Sequence, residues 1–293
     1  MKDAAVWLEG LACKVGKFQL GPLDLVAPRG SVTALVGPNG AGKTTTLDLM
    51  MGMGRPSRGH VHILGLEQPQ DEVRIKARVA YVSPDLDFLA WGKVGRAIDF
   101  VSGFYPDWDD DRCERLLEQF GLGRAERIAG LSFGARIKLS LVMAFSRDAE
   151  LLLLDEPTVG LDAAARRLLF SEILGFVERE DRAVLISSHQ LDDLERLADR
   201  LVVLDHGRIV AAGAMDELLQ RYVTLDATMA AGATLPENLG IKLLGREGGR
   251  ARLLLDRHAA GLAGLAAAGI EPVAEAPVTL DELVVALTSG VEA

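Results

Sequence analysis

The chain has 293 residues, with 32 Lys+Arg against 42 Asp+Glu for a net charge of −10, and 49% of its residues are apolar. That composition supports a substantial buried core and excludes the low-hydrophobicity, high-charge class of disordered chains. An acidic balance argues against nucleic acid as the main partner, because neutralising phosphates calls for a basic face, and no nucleic acid is expected. The longest apolar run, residues 259–270, has twelve residues, whereas a helix needs about 20 to span a bilayer. No membrane crossing is therefore expected, and the opening residues, with Asp3 and no apolar stretch, read as no secretory signal. Cys13 and Cys113 have no metal-ligand spacing and read as small buried residues in a reducing compartment.

In chain order, Ser31-Val32-Thr33-Ala34-Leu35-Val36 is a β-branched, apolar strand candidate. It runs into Gly37-Pro38-Asn39-Gly40-Ala41-Gly42-Lys43-Thr44, with Thr45 following at a good helix opening. This is a complete G-x-x-x-x-G-K-[ST] in the strand-loop-helix setting that the motif requires. Its glycines let consecutive N–H groups turn towards one point, making an anion nest at a helix N-terminus. Lys43 then offers a point charge to the β- and γ-phosphates of a nucleoside triphosphate, and Thr44 offers a hydroxyl to magnesium.

Residues 83–147 read as mainly helical. Asp110 to Gly121 looks like a capped helix with acids at its positive end and glycine at its close, so the acid cluster around Asp107 to Asp111 reads as a cap and not a metal site. Leu131-Ser132-Phe133-Gly134-Ala135 precedes a further helix over 136–145. Next comes Leu151-Leu152-Leu153-Leu154, a buried strand ending in Asp155-Glu156-Pro157. Successive strand side chains face opposite ways, so the two acids can do different work. Asp155 would hold magnesium, and Glu156 would accept or orient the proton of an attacking water. Capping of a helix near Asp162 is the alternative for one of them. Strands at Ala183 to Ser188 and Arg200 to Leu204, alternating with helices over 163–179 and 191–198, give an α/β fold: a mainly parallel sheet, covered on both faces, with its ligands beyond the strands' carboxyl ends.

After about residue 221 the texture changes to Ala, Gly and Leu. A small α+β module is expected there, with strands near Tyr222 to Ala227 and Arg250 to Asp256 and helices near 258–268 and 280–288.

Taken together, the P-loop, the Ser132 to Ala135 stretch, the strand ending Asp155-Glu156-Pro157-Thr158, Val159-Gly160-Leu161-Asp162 and Ser187-Ser188-His189 resemble the nucleotide-binding subunit of ABC transporters in type, order and spacing. The resemblance covers roughly residues 5–220. It implies a P-loop NTPase sheet with a helical subdomain over about 83–147, followed by the C-terminal module of 221–293. It also implies ATP and Mg2+ as ligands, and two ATPase subunits, identical or paralogous, facing head to tail. In that arrangement Ser132 and Gly134 donate to the γ-phosphate held by the partner, His189 contacts the γ-phosphate on its own side, and Asp162 bridges the subunits. A separate membrane-spanning permease and a place on the cytoplasmic face of the membrane follow as well. The closing stretch, Val278 to Thr288, resembles that of export-type systems.

Three places depart from the family pattern. Pro84, in Tyr81-Val82-Ser83-Pro84-Asp85, stands where the family has glutamine, so either Asp85 or Ser83 substitutes or this chain does without the amide. Val15 stands where an aromatic side chain usually stacks on adenine, leaving Phe18 as the substitute. Phe133 and Ala135 replace glycine and glutamine. Two other functions compete with transport. A soluble ATPase acting on ribosomes or DNA would be expected to carry two P-loops or a coiled-coil insertion. A nucleotide-responsive regulatory subunit would hydrolyse little, against which Glu156 and His189 both count.

Overall fold

The computed structural model describes residues 3–86, 88–230, 233, 235, 240–258, 265 and 268–288. Two long strands, β1 (Ala4–Val15) and β2 (Phe18–Pro28), precede β3 (Ser31–Val36), helix α1 (Lys43–Met50), the hairpin of β4 (Arg58–Ile63) and β5 (Leu66–Glu67), α2 (Glu72–Arg78) and β6 (Val79–Val82). Helices α3 (Val94–Ser102), α4 (Asp110–Phe120) and α5 (Phe133–Phe145) lead to β7 (Leu151–Asp155), α6 (Ala163–Val177), β8 (Ala183–Ser188), the single turn α7 (Leu191–Leu194), β9 (Arg200–Asp205), β10 (Arg208–Ala214) and α8 (Met215–Arg221). The chain then forms β11 (Tyr222–Met229), β12 (Ile241–Glu247), β13 (Arg250–Asp256), β14 (Ile270–Pro277) and α9 (Leu280–Thr288).

The central sheet has the order β10-β9-β3-β8-β7-β6, parallel except for the edge strand β10. Its strands read as continuous apolar runs because both faces are covered, and alternate residues supply two different cores. Leu152, Leu154, Val184 and Ile186 face a core built with α3 to α6 and α9. Leu151, Leu153, Leu185 and Leu204 face the other way, onto α1 and a second, antiparallel sheet of order β2-β1-β4-β5. Covering helices are thus replaced on one face by a sheet drawn from residues 4–67, whose register departs from simple alternation at several bulges in β1.

Side chains cap the starts of α4, α5 and α6. Asp109 caps α4 by accepting from the Arg112 amide, with Asp110 and Asp111 in the first turn and Gly121 in the left-handed conformation beyond its end. The acid run is therefore a cap, as its sequence implies. The segment over 191–198 is helical only to Leu194. Both cysteines are free and buried.

Beyond α8, β11 and β13 occupy the strands expected there, joined by β12 and β14 into a sheet of order β12-β13-β11-β14. One face of this sheet makes a small core with Leu225, Leu253 and Ile270. The other belongs with α9 to the main core, through Leu254, Leu280, Leu283 and Leu287. The helix expected near 258–268 lies mostly outside the described residues. Among the described residues, no helix is long and apolar enough to cross a membrane.

Because Leu283 is fully buried in the main core, Leu283→Ala is expected to lower the unfolding free energy by about 2–5 kcal/mol. Chemical denaturation measures this, and a loss below about 1 kcal/mol would mean that α9 is not part of that core.

Candidate active site

Strand β3 ends at Val36, and the loop of 37–42 turns the chain back into α1. Gly42 caps α1 at φ +108°, a left-handed angle that costs a residue with a Cβ dearly. No side chain caps the first turn of α1, so the helix start presents bare amides and its positive dipole end to the loop. A cavity of about 370 Å³ opens there, lined by Phe18, Asn39, Gly40, Gly42, Lys43, Thr44, Thr45 and Glu156. A larger cavity, about 770 Å³, lies between α8 and the C-terminal sheet and contains none of these groups.

Lys43 is almost wholly buried, and its Nζ donates to the Gly37 carbonyl at 2.8 Å and lies 3.4 Å from Glu156 Oε1. An ammonium held this way is aimed along the loop and neutralised by one carboxylate. Next to it, Thr44 Oγ1 donates to Asp155 Oδ2 at 2.7 Å, while Ser187 Oγ donates to Asp155 Oδ1 at 2.5 Å. The Ser187 hydroxyl also accepts from the Glu156 amide at 3.0 Å. One carboxylate thereby ties the start of α1 to the ends of β7 and β8.

Glu156 follows the strand with φ +45°, a strained angle for a side-chain-bearing residue, and this bend turns its carboxylate away from that of Asp155. Its Oε2 meets His189 Nδ1 at 2.7 Å and accepts from the His189 amide at 3.3 Å. A carboxylate oxygen accepts, so the shared hydrogen belongs to Nδ1, and Nε2 is left to act outward. The two adjacent acids do separate work: Asp155 meets hydroxyls, and Glu156 meets a lysine and a histidine.

Asp155 is only 1% exposed, and no ion pair is formed to it among the described residues. Burial pushes its pKa up, against hydrogen bonds from Ser187 and Thr44. Asp48, one turn along α1 from Thr44, accepts from Tyr81 Oη at 3.0 Å. Its carboxyl is also raised by burial, opposed by Tyr81 and then reinforced by Asp155 and Asp85. Burial likewise raises the Tyr81 phenol. Hard oxygen donors gathered around a buried, uncompensated carboxylate fit a small divalent cation such as Mg2+.

The remaining candidates lie on other surfaces. Ser132 caps α5 by accepting from the Ala135 amide. Gly134 packs so closely on the neighbouring loop that a Cβ would stand 2.0 Å from the Gly160 carbonyl oxygen. Asp162 caps α6 through the Ala165 and Ala164 amides and pairs with Lys138, and the Ala165 hydrogen bond, followed by that of Lys138, holds its pKa down to about 2. The helix cap in this segment is therefore Asp162 itself, and Asp155 and Glu156 are free of that duty. Ser83 is buried and its hydroxyl accepts from the Asp85 amide, and Ser83, Pro84 and Asp85 border a cavity of about 270 Å³ with Phe133 and Arg136. Phe18 stands against the P-loop, 3.0 Å from a Cβ built on Gly42, while Val15 is 56% exposed and outside the cavity. Sequence reasoning passed over Ser187 as the partner of Asp155, and over Asp48 and Tyr81. Only the position of Ser187 at a strand end could have signalled its role.

An anion-binding loop with a buried lysine, a hydroxyl-carboxylate pair and a strained glutamate facing histidine defines a P-loop nucleotide triphosphatase. The comparisons identify the branch. The family model described as ABC transporter matches residues 20–159. The Nod factor export ATP-binding protein I of Rhizobium johnstonii is 33% identical over 234 residues, covering 76% of this chain and 73% of that protein. Its counterpart in Burkholderia lata is 32% identical over 232 residues, with 76% of each chain covered. A solved ATP-binding subunit of an ABC transporter superposes with a TM-score of 0.65 at 27% identity, covering 74% of this chain and 92% of that one. A dimeric ATP-binding cassette bound to ADP and Pi shares the fold, with a TM-score of 0.63 at 18% identity over 72% of this chain and 98% of its own. The chain belongs to the ATP-binding subunits of ABC transporters, a family of ATP-hydrolysing proteins.

A carboxyl whose pKa is raised on folding adds stability only while protonated and loses it as pH rises through the raised value. At neutral pH the Asp155 charge therefore opposes folding. Asp155→Asn is expected to raise the Tm of the nucleotide-free protein by about 2–4 °C, the shift that about 1 kcal/mol gives a large domain. The same change should remove magnesium-dependent turnover. Calorimetry on both proteins checks the first expectation, and a lower Tm in the variant would contradict it.

Proposed function

We propose that this chain hydrolyses ATP as one half of a head-to-tail dimer and drives a separate membrane-spanning permease, in the direction of export. The observation that carries the reading is the convergence of Lys43, Thr44, Asp155, Glu156 and His189 on the loop between β3 and α1. The P-loop amides and Lys43 bind the triphosphate, and Phe18 offers the adenine a flat apolar face in place of Val15. Thr44 and Asp155 would hold Mg2+, which supplies positive charge against the phosphate oxygens.

Phosphate and Glu156 are both anionic and compete for Lys43. As the ammonium turns to the phosphate, the Glu156 carboxylate is released to take a proton from the attacking water. The His189 contact keeps that carboxylate facing the water and turns Nε2 of the ring towards the γ-phosphate. Ser132 and Gly134, at the positive end of α5, act on the nucleotide of the partner copy. For Asp162 to bridge the copies it must share its contact with Lys138.

The helical subdomain over about 83–147 passes the motion on. It exposes Phe100, stacked on the half-buried Trp91, and Phe104, edge-on to Phe100, with ring centroids 3.8 and 4.9 Å apart and Phe104 65% exposed, an apolar surface suited to a membrane protein's cytoplasmic loops. The assembly places the chain at the cytoplasmic face of the membrane. Residues 1–220 form the ATPase domain, and 221–293 the accessory module. Export is supported by the names of the relatives, which are export ATP-binding proteins.

Replacing Glu156 by Gln should lower steady-state hydrolysis by about 10²–10⁴ while ATP binding survives, and should trap an ATP-bound dimer visible by light scattering. Unchanged turnover would remove Glu156 from the mechanism. Lys43→Ala should instead weaken ATP binding itself, measured by calorimetric titration.

A further inference from the structure

Away from the nucleotide cavity, the outward face of the antiparallel sheet carries a second set of polar groups. On β4, His60 and His62 are two residues apart and point to the same side. Strand β5 returns through a tight turn at Leu64 and Gly65, whose φ angles are +54° and +77°, the left-handed pair that fixes the register of a two-residue hairpin. That register sets Glu67 directly opposite His62. On the other side, β1 sets Trp7 opposite His62 and Glu9 opposite His60. Leu8 and Val61, paired between them, face the buried core instead, so the five side chains share one face.

One donor atom from each of His60, His62 and Glu67 lies within 4.8 Å of the other two, and among the described residues this is the one place where three such donors converge. His60 Nδ1 is already 2.9 Å from Glu67 Oε1. The His62 ring is held flat on Trp7, with centroids 4.7 Å apart and planes 18° apart, which limits its freedom. Donors around a tetrahedral zinc ion stand about 3.3 Å apart, as bond lengths of about 2.0–2.1 Å require. Small side-chain rotations on this exposed face reach that spacing.

We propose that His60, His62 and Glu67 bind one divalent transition-metal ion of the zinc class, separate from the Mg2+ of the P-loop. Two imidazoles and one carboxylate suit borderline ions such as Zn2+, whereas Mg2+ takes oxygen ligands. A water or the Glu9 carboxylate completes four-coordination. On binding, the ion takes the place of the hydrogen shared between His60 and Glu67, and that hydrogen moves to Nε2 of the His60 ring, which stays neutral. The ion pins the β4–β5 hairpin. Gln68, next in sequence, donates through Nε2 to the Met50 carbonyl at the end of α1, so the pinned hairpin is joined to the helix that carries the P-loop.

The test is calorimetric titration of chelator-treated, nucleotide-free full-length protein with ZnCl2, repeated on Asp155→Asn, on His62→Ala, on Glu67→Gln and on the double variant His60→Ala/His62→Ala. The wild-type chain and Asp155→Asn should each bind one equivalent with the same affinity. His62→Ala and Glu67→Gln should weaken binding by about 10–100-fold, the range typical of damaged metal sites, and the double variant should abolish it. Zn2+ should raise the Tm of the wild type and leave that of the double variant unmoved, while Mg·ATP hydrolysis in the absence of zinc stays equal in the two, showing that the variant is folded. No binding with Zn2+ in molar excess, or binding that survives the double variant undiminished, would overturn the proposal.

Discussion

Everything at the nucleotide cavity depends on one carboxylate buried at the end of a strand. Asp155 accepts from Thr44 and Ser187, so a single side chain ties the start of α1 to the paired ends of β7 and β8. Burying a charge without an ion pair is unfavourable, and the raised pKa of Asp155 is the signature of that cost. The protein tolerates it because the central sheet is over-determined. Its strands are buried on both faces by two cores, whose apolar burial offsets that local cost.

From that anchor the rest of the site follows by chain geometry. Glu156 comes immediately after Asp155, and its left-handed backbone sends it to Lys43 and His189 in place of the hydroxyls. Lysine, glutamate and histidine then form a row in which each positions the next. Substrate phosphates entering that row meet an ammonium already aimed by the Gly37 carbonyl, and need little reorganisation to capture it. Strain, a buried charge and an uncapped helix start are all kept within a few residues of one cavity, where functional sites concentrate such costs.

Much of this was legible in the sequence. Gly37 to Thr44 announces a phosphate loop because few other reasons put Gly-x-x-x-x-Gly-Lys-Thr between a strand and a helix, and Leu151 to Glu156 announces a buried strand with acids at its carboxyl end. The capped helix of 110–120 was legible down to its final glycine. The antiparallel sheet of β1, β2, β4 and β5 was not, because bulges in β1 break the period-2 pattern on which strand recognition rests. Strands β12 and β14 were missed for a related reason: mostly exposed, they show little apolar alternation. Ser187 was invisible as a site residue because a serine at a strand end acquires meaning only when another strand brings Asp155 beside it. Asp48 and Tyr81 come from different elements and meet only in the fold.

The C-terminal segment is tied to the rest of the fold, because α9 and Leu254 join the core that backs the helical side of the central sheet. Phosphate release by the purified chain, followed with ATP in the presence and absence of Mg2+, tests the central claim most directly. Sustained release that requires Mg2+ is the expected result. Tight ATP binding with no Mg2+-dependent release above the buffer blank would contradict the assignment of Asp155, Glu156 and His189 to hydrolysis.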